Sequence, residues 1–162
     1  MPARTWVVNA SPLILLGKIG QIDLLCRLSA ELIIPSGVAE ELEAGQECDP
    51  ARHWLRAHGR PFVREADTVA PLIAAWDLGR GESQVLQMCH TRPGTEAILD
   101  DLAGRRLAEV LGIPHLGTMA VLLLAKSEGL VSTVRPLLEG VRAKGLRVDE
   151  RLFQHVLGLA GE

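Results

Sequence analysis

The chain has 162 residues, enough for one domain with a real core, and its 48% hydrophobic and 23% charged residues exclude a disordered or fibrous segment. Aromatics are only 3%, so the core has to be aliphatic. A net charge of −3 gives no overall attraction to nucleic acid, and any such binding needs a local basic patch or bridging cations.

Cys26, Cys48 and Cys89 contain no Cys-x-x-Cys pair, which argues against a disulfide framework and for a reducing cytoplasm. Met1 to Thr5 lead into only three apolar residues before Asn9, which is not a signal-peptide pattern. The longest apolar run, Met119–Ala125, has seven residues where a membrane span needs about 20.

Taken in order, Trp6-Val7-Val8 is expected as a buried strand, broken by Asn9-Ala10-Ser11-Pro12. Two short helices, Leu13–Lys18 and Ile22–Leu28, are separated by Gly20, and Leu32-Ile33-Ile34 is a second strand ended by Pro35. Ser36 is the expected cap of a helix carrying Val38, Glu40, Glu41 and Leu42, which stops at Gly45. A helix over Ala51–His58, an extended Phe62-Val63-Arg64 and a helix over Leu72–Leu78 follow.

Next comes a helix opening near Gly81, then a strand Ala97-Ile98-Leu99 ending in Asp100 and Asp101. Leu102–Leu111 is helical, Ile113–Leu116 is a short strand that Pro114 assigns to an edge, and Gly117-Thr118 opens a helix to Glu128. Helices over Pro136–Lys144 and Glu150–Leu159 finish the chain. Strands alternating with helices predict an α/β fold with a parallel sheet, whose ligands bind at the carboxyl ends of strands where the strand order switches.

Glu82 shares a helix face with Val85, Leu86 and Cys89, so a carboxylate heads an apolar, buried stripe. Burying a carboxylate is costly unless it is paired, hydrogen-bonded or bound to a cation. The tandem Asp100-Asp101 exceeds what capping one helix requires; one is expected to cap and the other to face the site, and either assignment is open. At about 100° per residue Glu41 flanks the Val38–Leu42 stripe, whereas Glu40 and Glu43 fall on the solvated side.

Ser11 and Thr118 stand at helix starts, where capping is the ordinary role and support of a metal-bound water the alternative. Arg80, Arg92, Arg105 and Arg106 flank the acidic stretch as candidate phosphate contacts, Arg105 being equally placed to pair with Asp101 across one turn. Cys48, His53 and His58 fit no recognised zinc spacing.

Val7-Val8-Asn9-Ala10-Ser11-Pro12-Leu13-Ile14, Ile34-Pro35 through Glu41-Leu42 and Gly45, Gly79-Arg80-Gly81-Glu82-Ser83 and Leu99-Asp100-Asp101 together resemble a PIN domain. More narrowly, they resemble a branch of unknown function predicted to bind nucleic acid. The resemblance runs from Trp6 to the C-terminus and implies a single three-layer α/β/α domain over residues 1–162. Its central parallel sheet has four or five short strands, and the helices of residues 118–162 pack on it or serve association.

It also implies a Mg²⁺- or Mn²⁺-dependent ribonuclease acting as the toxin of a type II toxin–antitoxin pair. Glu41, Glu82, Asp100 and Asp101 would be catalytic ligands of the metal, Asn9 a further ligand, and Ser11 and Thr118 supports. RNA, an antitoxin and a second copy of the chain are the implied partners, with no membrane role. One departure stands out: the family's first acid is usually aspartate and here it is Asn9, which offers a carbonyl oxygen without charge. That leaves a catalytically weak or inactive nucleic-acid- or protein-binding module as the alternative.

Overall fold

Trp6, Val7 and Val8 are fully buried and form the middle strand, β1 (Thr5–Val8), of a five-stranded sheet in the computed structural model, which describes residues 3–162. Parallel to it on one side run β2 (Glu31–Pro35) and β3 (Val63–Arg64), and on the other β4 (Thr95–Ile98) and β5 (His115–Leu116). Strands covered on both faces need unbroken apolar runs, and Leu32, Ile33 and Ile34 or Ala97 and Ile98 supply them. Pro114 precedes the short edge strand β5, where its missing N–H interrupts no ladder.

The helices are α1 (Ala10–Lys18), α2 (Leu24–Leu28), α3 (Ser36–Glu43), α4 (Pro50–Trp54), α5 (Pro71–Ala74), α6 (Arg80–Thr91), α7 (Leu102–Val110), α8 (Thr118–Ser127), α9 (Arg135–Ala143) and α10 (Glu150–Leu159). Helix α6 packs on β1, β2 and β4 with α3, α5 and α7 beside it, while α2 packs on β2 and joins α1, α8, α9 and α10 in a second group. The result is a three-layer α/β/α architecture. Val121, Leu122, Leu138, Val141 and Phe153 belong to the same core, so the helices after Thr118 are packed onto the sheet domain.

Several local expectations change. The helix expected over Ala51–His58 is α4 followed by a π-helical turn over Leu55–Gly59, Phe62 closes a 3-10 turn instead of opening the extended piece, and only His115 and Leu116 of the expected Ile113–Leu116 strand pair with β4. The helix over Leu72–Leu78 stops after Ala74, because Asp77 takes a left-handed φ of 51° that ends helical geometry. The fourth strand starts at Thr95, and Leu99 lies just past its end. Ser36 does not cap α3: Pro35 holds the cap position, Ser36 is already helical, and its hydroxyl is buried without a partner. Gln84 of α6 does part of that work from a distance, its Oε1 accepting from Gly37 N at 2.7 Å.

That bond ties α3 to α6, the two helices that carry Glu41 and Glu82. Replacing Gln84 by methionine keeps the volume but leaves a buried N–H without an acceptor. The variant should lose about 1–3 kcal/mol of stability, measured by urea unfolding. An unchanged midpoint would mean that Gly37 finds another acceptor.

Candidate functional site

Strand order reverses between β1 and β4, which are neighbours although β2 and β3 intervene in the chain. The chain therefore leaves these two strands in opposite directions and opens a crevice beyond their carboxyl ends. Asn9 N donates to Ile98 O at 2.9 Å across the crevice's base. A cleft of about 760 Å³ lies there, lined by Asn9, Ser11, Glu41, Glu82, Asp100 and Asp101 among others. Every acidic residue singled out from the sequence thus borders one cleft, and Thr118 reaches it through Asp100.

Glycines bring the backbones close enough. A Cβ on Gly81 would sit 3.0 Å from Val38 Cγ2 and 3.3 Å from Glu41 Oε2, so α6 meets α3 here with little room for a side chain. A Cβ on Gly104 would lie 2.6 Å from Leu99 Cδ1 and 3.0 Å from Glu82 Oε1, and one on Gly117 would lie 3.1 Å from Asp100 Oδ1. Behind Glu82 the stripe of Val85, Leu86 and Cys89 is buried against the sheet.

The two aspartates divide their work. Asp101 caps α7, its Oδ2 accepting from Gly104 N at 3.0 Å. Asp100 accepts from Thr118 N at Oδ1 (2.7 Å) and from Thr118 Oγ1 (2.7 Å) and Ser11 Oγ (3.2 Å) at Oδ2. Three of its roughly four lone-pair sites are taken, which fixes the carboxylate in orientation. Neither Ser11 nor Thr118 caps its own helix, contrary to the ordinary role of such residues: Asn9 and Gly117 hold the cap positions, and both hydroxyls donate to Asp100.

Asn9 is 8% exposed; its Nδ2 donates to Glu82 Oε1 at 3.4 Å and its Oδ1 is buried with no hydrogen-bond partner. The Glu82 carboxyl is pushed up to about 7, first by burial and then by the negative charges of Asp101 and Glu41. An oxygen-only donor set with one orphaned carbonyl suits a hard divalent cation such as Mg²⁺ or Mn²⁺. Among the described residues no three Asp, Glu, His or Cys side chains are drawn in tightly enough to enclose an ion directly.

Other candidates fall away. Glu40 pairs with Arg80 at the surface, Glu43 binds Arg56 (2.8 Å) and Arg60 (2.6 Å), and Arg92 pairs with Glu31 (2.6 Å). Neither Arg80 nor Arg92 lines the cleft. Arg105 makes no ion pair with Asp101; among the described residues neither it nor Arg106 has a carboxylate within 4.0 Å. Cys48, His53 and His58 are exposed and form no zinc cluster. Lys144 and Arg147, which no motif or spacing singles out, also line the cleft.

A carboxyl that titrates near 7 in the fold and near 4.5 when unfolded makes the fold bind the extra proton between those values. The stabilisation is complete below about pH 4.5 and is lost as pH rises through 7. Solvent screening at this half-buried group holds the loss to about 1 kcal/mol. Metal-free protein should therefore weaken over this window in urea titrations, and Glu82→Gln should abolish that component. A parallel pH slope in both proteins would remove Glu82 as its source.

Compared with known families, residues 5–162 match the model of the family described as DUF3368, a PIN domain. No curated protein matches the chain. The PIN domain is a nuclease-type fold and generally depends on divalent metal. With the match running over nearly the whole length, the chain belongs to the PIN-domain family.

Proposed function

We propose that this protein is a Mg²⁺- or Mn²⁺-dependent endoribonuclease that hydrolyses phosphodiester bonds of single-stranded RNA. The observation that carries the proposal is the shared field of Glu41, Glu82 and Asp101 beside an unpartnered Asn9 carbonyl, in the crevice where the strand order reverses. Glu41, Glu82, Asp100 and Asp101 are the acidic ligands in this reading, and Asn9 Oδ1 adds a neutral oxygen. A divalent ion held by these residues would supply Lewis acidity that favours deprotonation of water at neutral pH and would offset negative charge on the scissile phosphate.

The chain's own part is to orient and to hold protons. Ser11 and Thr118 lock Asp100, the Gly104 N–H locks one oxygen of Asp101, and Asn9 keeps Glu82 turned toward the β1 exit. Glu82, titrating near 7, gives up its proton readily once positive charge stands beside it. Cleavage of a labelled single-stranded RNA with Mn²⁺ should fall at least about 100-fold in Glu82→Gln and in Asp100→Asn, and should stop in a chelator. Equal rates in all three proteins would refute the assignment.

On the family likeness, we assign the protein as the toxin of a type II toxin–antitoxin pair working in the cytoplasm. Cys26, Cys48 and Cys89 are all free, and no described helix is long and apolar enough to cross a membrane. An apolar groove of about 550 Å³ lined by Leu116, Leu123, Leu124 and Leu159 supports a protein partner there, either an antitoxin or a second copy.

The second reading, a weak or inactive module that binds nucleic acid or protein, is favoured by the missing charge at Asn9. Asn9→Asp separates the two. If the natural protein is an attenuated nuclease, the variant should bind Mn²⁺ about tenfold more tightly in calorimetry and cleave faster, because ligand charge sets affinity. Tighter metal binding with no cleavage in either protein would favour the module.

A further inference from the structure

The turn joining α9 to α10 brings Lys144 and Arg147 to the rim of the acidic cleft. The turn is built rigidly. Leu146 N donates to Val141 O at 3.0 Å and Gly145 N to Arg142 O at 3.2 Å, while Gly145 holds a φ of 118° that side chains rarely adopt. Beneath it Leu138 and Val141 are buried, and a Cβ on Gly140 would lie 2.9 Å from Ile19 Cγ2. Helix α9 is thus pressed onto the chain at the end of α1, the helix whose first residues line the cleft.

The turn's basic residues are not used alike. Arg142 is spent on structure: it pairs with Glu150 at 2.8 Å and lies 3.7 Å from the centroid of Phe153. Lys144 and Arg147 are exposed, and among the described residues neither has a carboxylate within 4.0 Å, although Glu41, Glu82, Asp100 and Asp101 border the same cleft. Two cations beside four acids that neutralise none of them directly are placed for an outside anion. Leu102, also on the cleft, is 62% exposed and offers an apolar face of the kind a base covers.

We propose that Lys144 and Arg147 grip backbone phosphates flanking the scissile one. The site's substrate is then a polynucleotide strand long enough to reach from the carboxylates to this turn, not a mononucleotide. The inference rests on the nuclease reading above. It also supplies the local positive charge that a chain of net charge −3 needs to hold a polyanion.

The test is anisotropy binding of a labelled single-stranded oligoribonucleotide across a KCl series, with Ca²⁺ replacing Mn²⁺ to hold back cleavage. Each phosphate contact contributes about 0.7 to the slope of log affinity against log salt on a single strand. Lys144→Ala/Arg147→Ala should therefore flatten the slope by about 1.4, while Arg147→Lys, which keeps the charge, should leave it near wild type. The Mn²⁺-induced thermal shift should be the same in all three proteins, which counter-ions of the carboxylates would not allow. A wild-type slope in the double variant, or a change confined to the Mn²⁺ shift, overturns the grip and leaves the nuclease reading standing. Wild-type protein that neither binds nor cleaves the strand overturns both.

Discussion

Burial makes a charge on Glu82 costly, and the neighbouring carboxylates of Asp101 and Glu41 add repulsion to that cost. Most of what surrounds the cleft can be understood as a way of bearing that cost. Glycines at 81, 104 and 117 leave room where a Cβ would crowd a carboxylate oxygen at 3.0 to 3.3 Å. Asp100 is held by three hydrogen bonds and Asp101 by the start of a helix, whose N-terminal partial positive charge favours an acid. Glu82 has neither an N–H donor of its own helix nor an arginine beside it, so the unrelieved part of the cost collects there.

The sheet makes this crowding possible without asking any one segment to supply it. Parallel strands leave the same edge, so β1 and β4 deliver Asn9 and Asp100 side by side while their helices depart in opposite directions. Glu41 and Glu82 arrive from helix faces instead, and their separation depends on how tightly α3 meets α6. The Gln84–Gly37 bond and the bare Cα of Gly81 set that distance. Packing in the second helical group matters in the same way: Gly140 against Ile19 fixes where the α9–α10 turn stands over the cleft.

Period and punctuation made the fold legible in the sequence. Buried runs such as Trp6–Val8, the proline before the edge strand and glycines with positive φ at Gly20 and Gly112 mark elements whose causes are local. Glu82 and Glu41 were legible too, because angular position on a helix follows from spacing alone. What stayed hidden has partners distant in the chain. Ser36 looks like a cap until Gln84, 47 residues away, takes the Gly37 N–H. The division of labour between Asp100 and Asp101 depends on Thr118, and the place of Lys144 and Arg147 depends on the docking of α9; neither leaves a local signal.

Asn9 is the position where these constraints meet. An aspartate there would set two carboxylate oxygens in contact, where Asn9 Nδ2 now lies 3.4 Å from Glu82 Oε1. Without a cation, such a pair could persist only by sharing a proton or moving apart. The amide removes this conflict by donating to Glu82, and it keeps an oxygen available as Oδ1. The same exchange leaves the donor set one negative charge poorer than an aspartate would make it. An aspartate would favour the metal-bound state at the expense of the free one; asparagine narrows the gap between them. The identity of this one side chain therefore sets how much negative charge is crowded against Glu82 at the exit of β1.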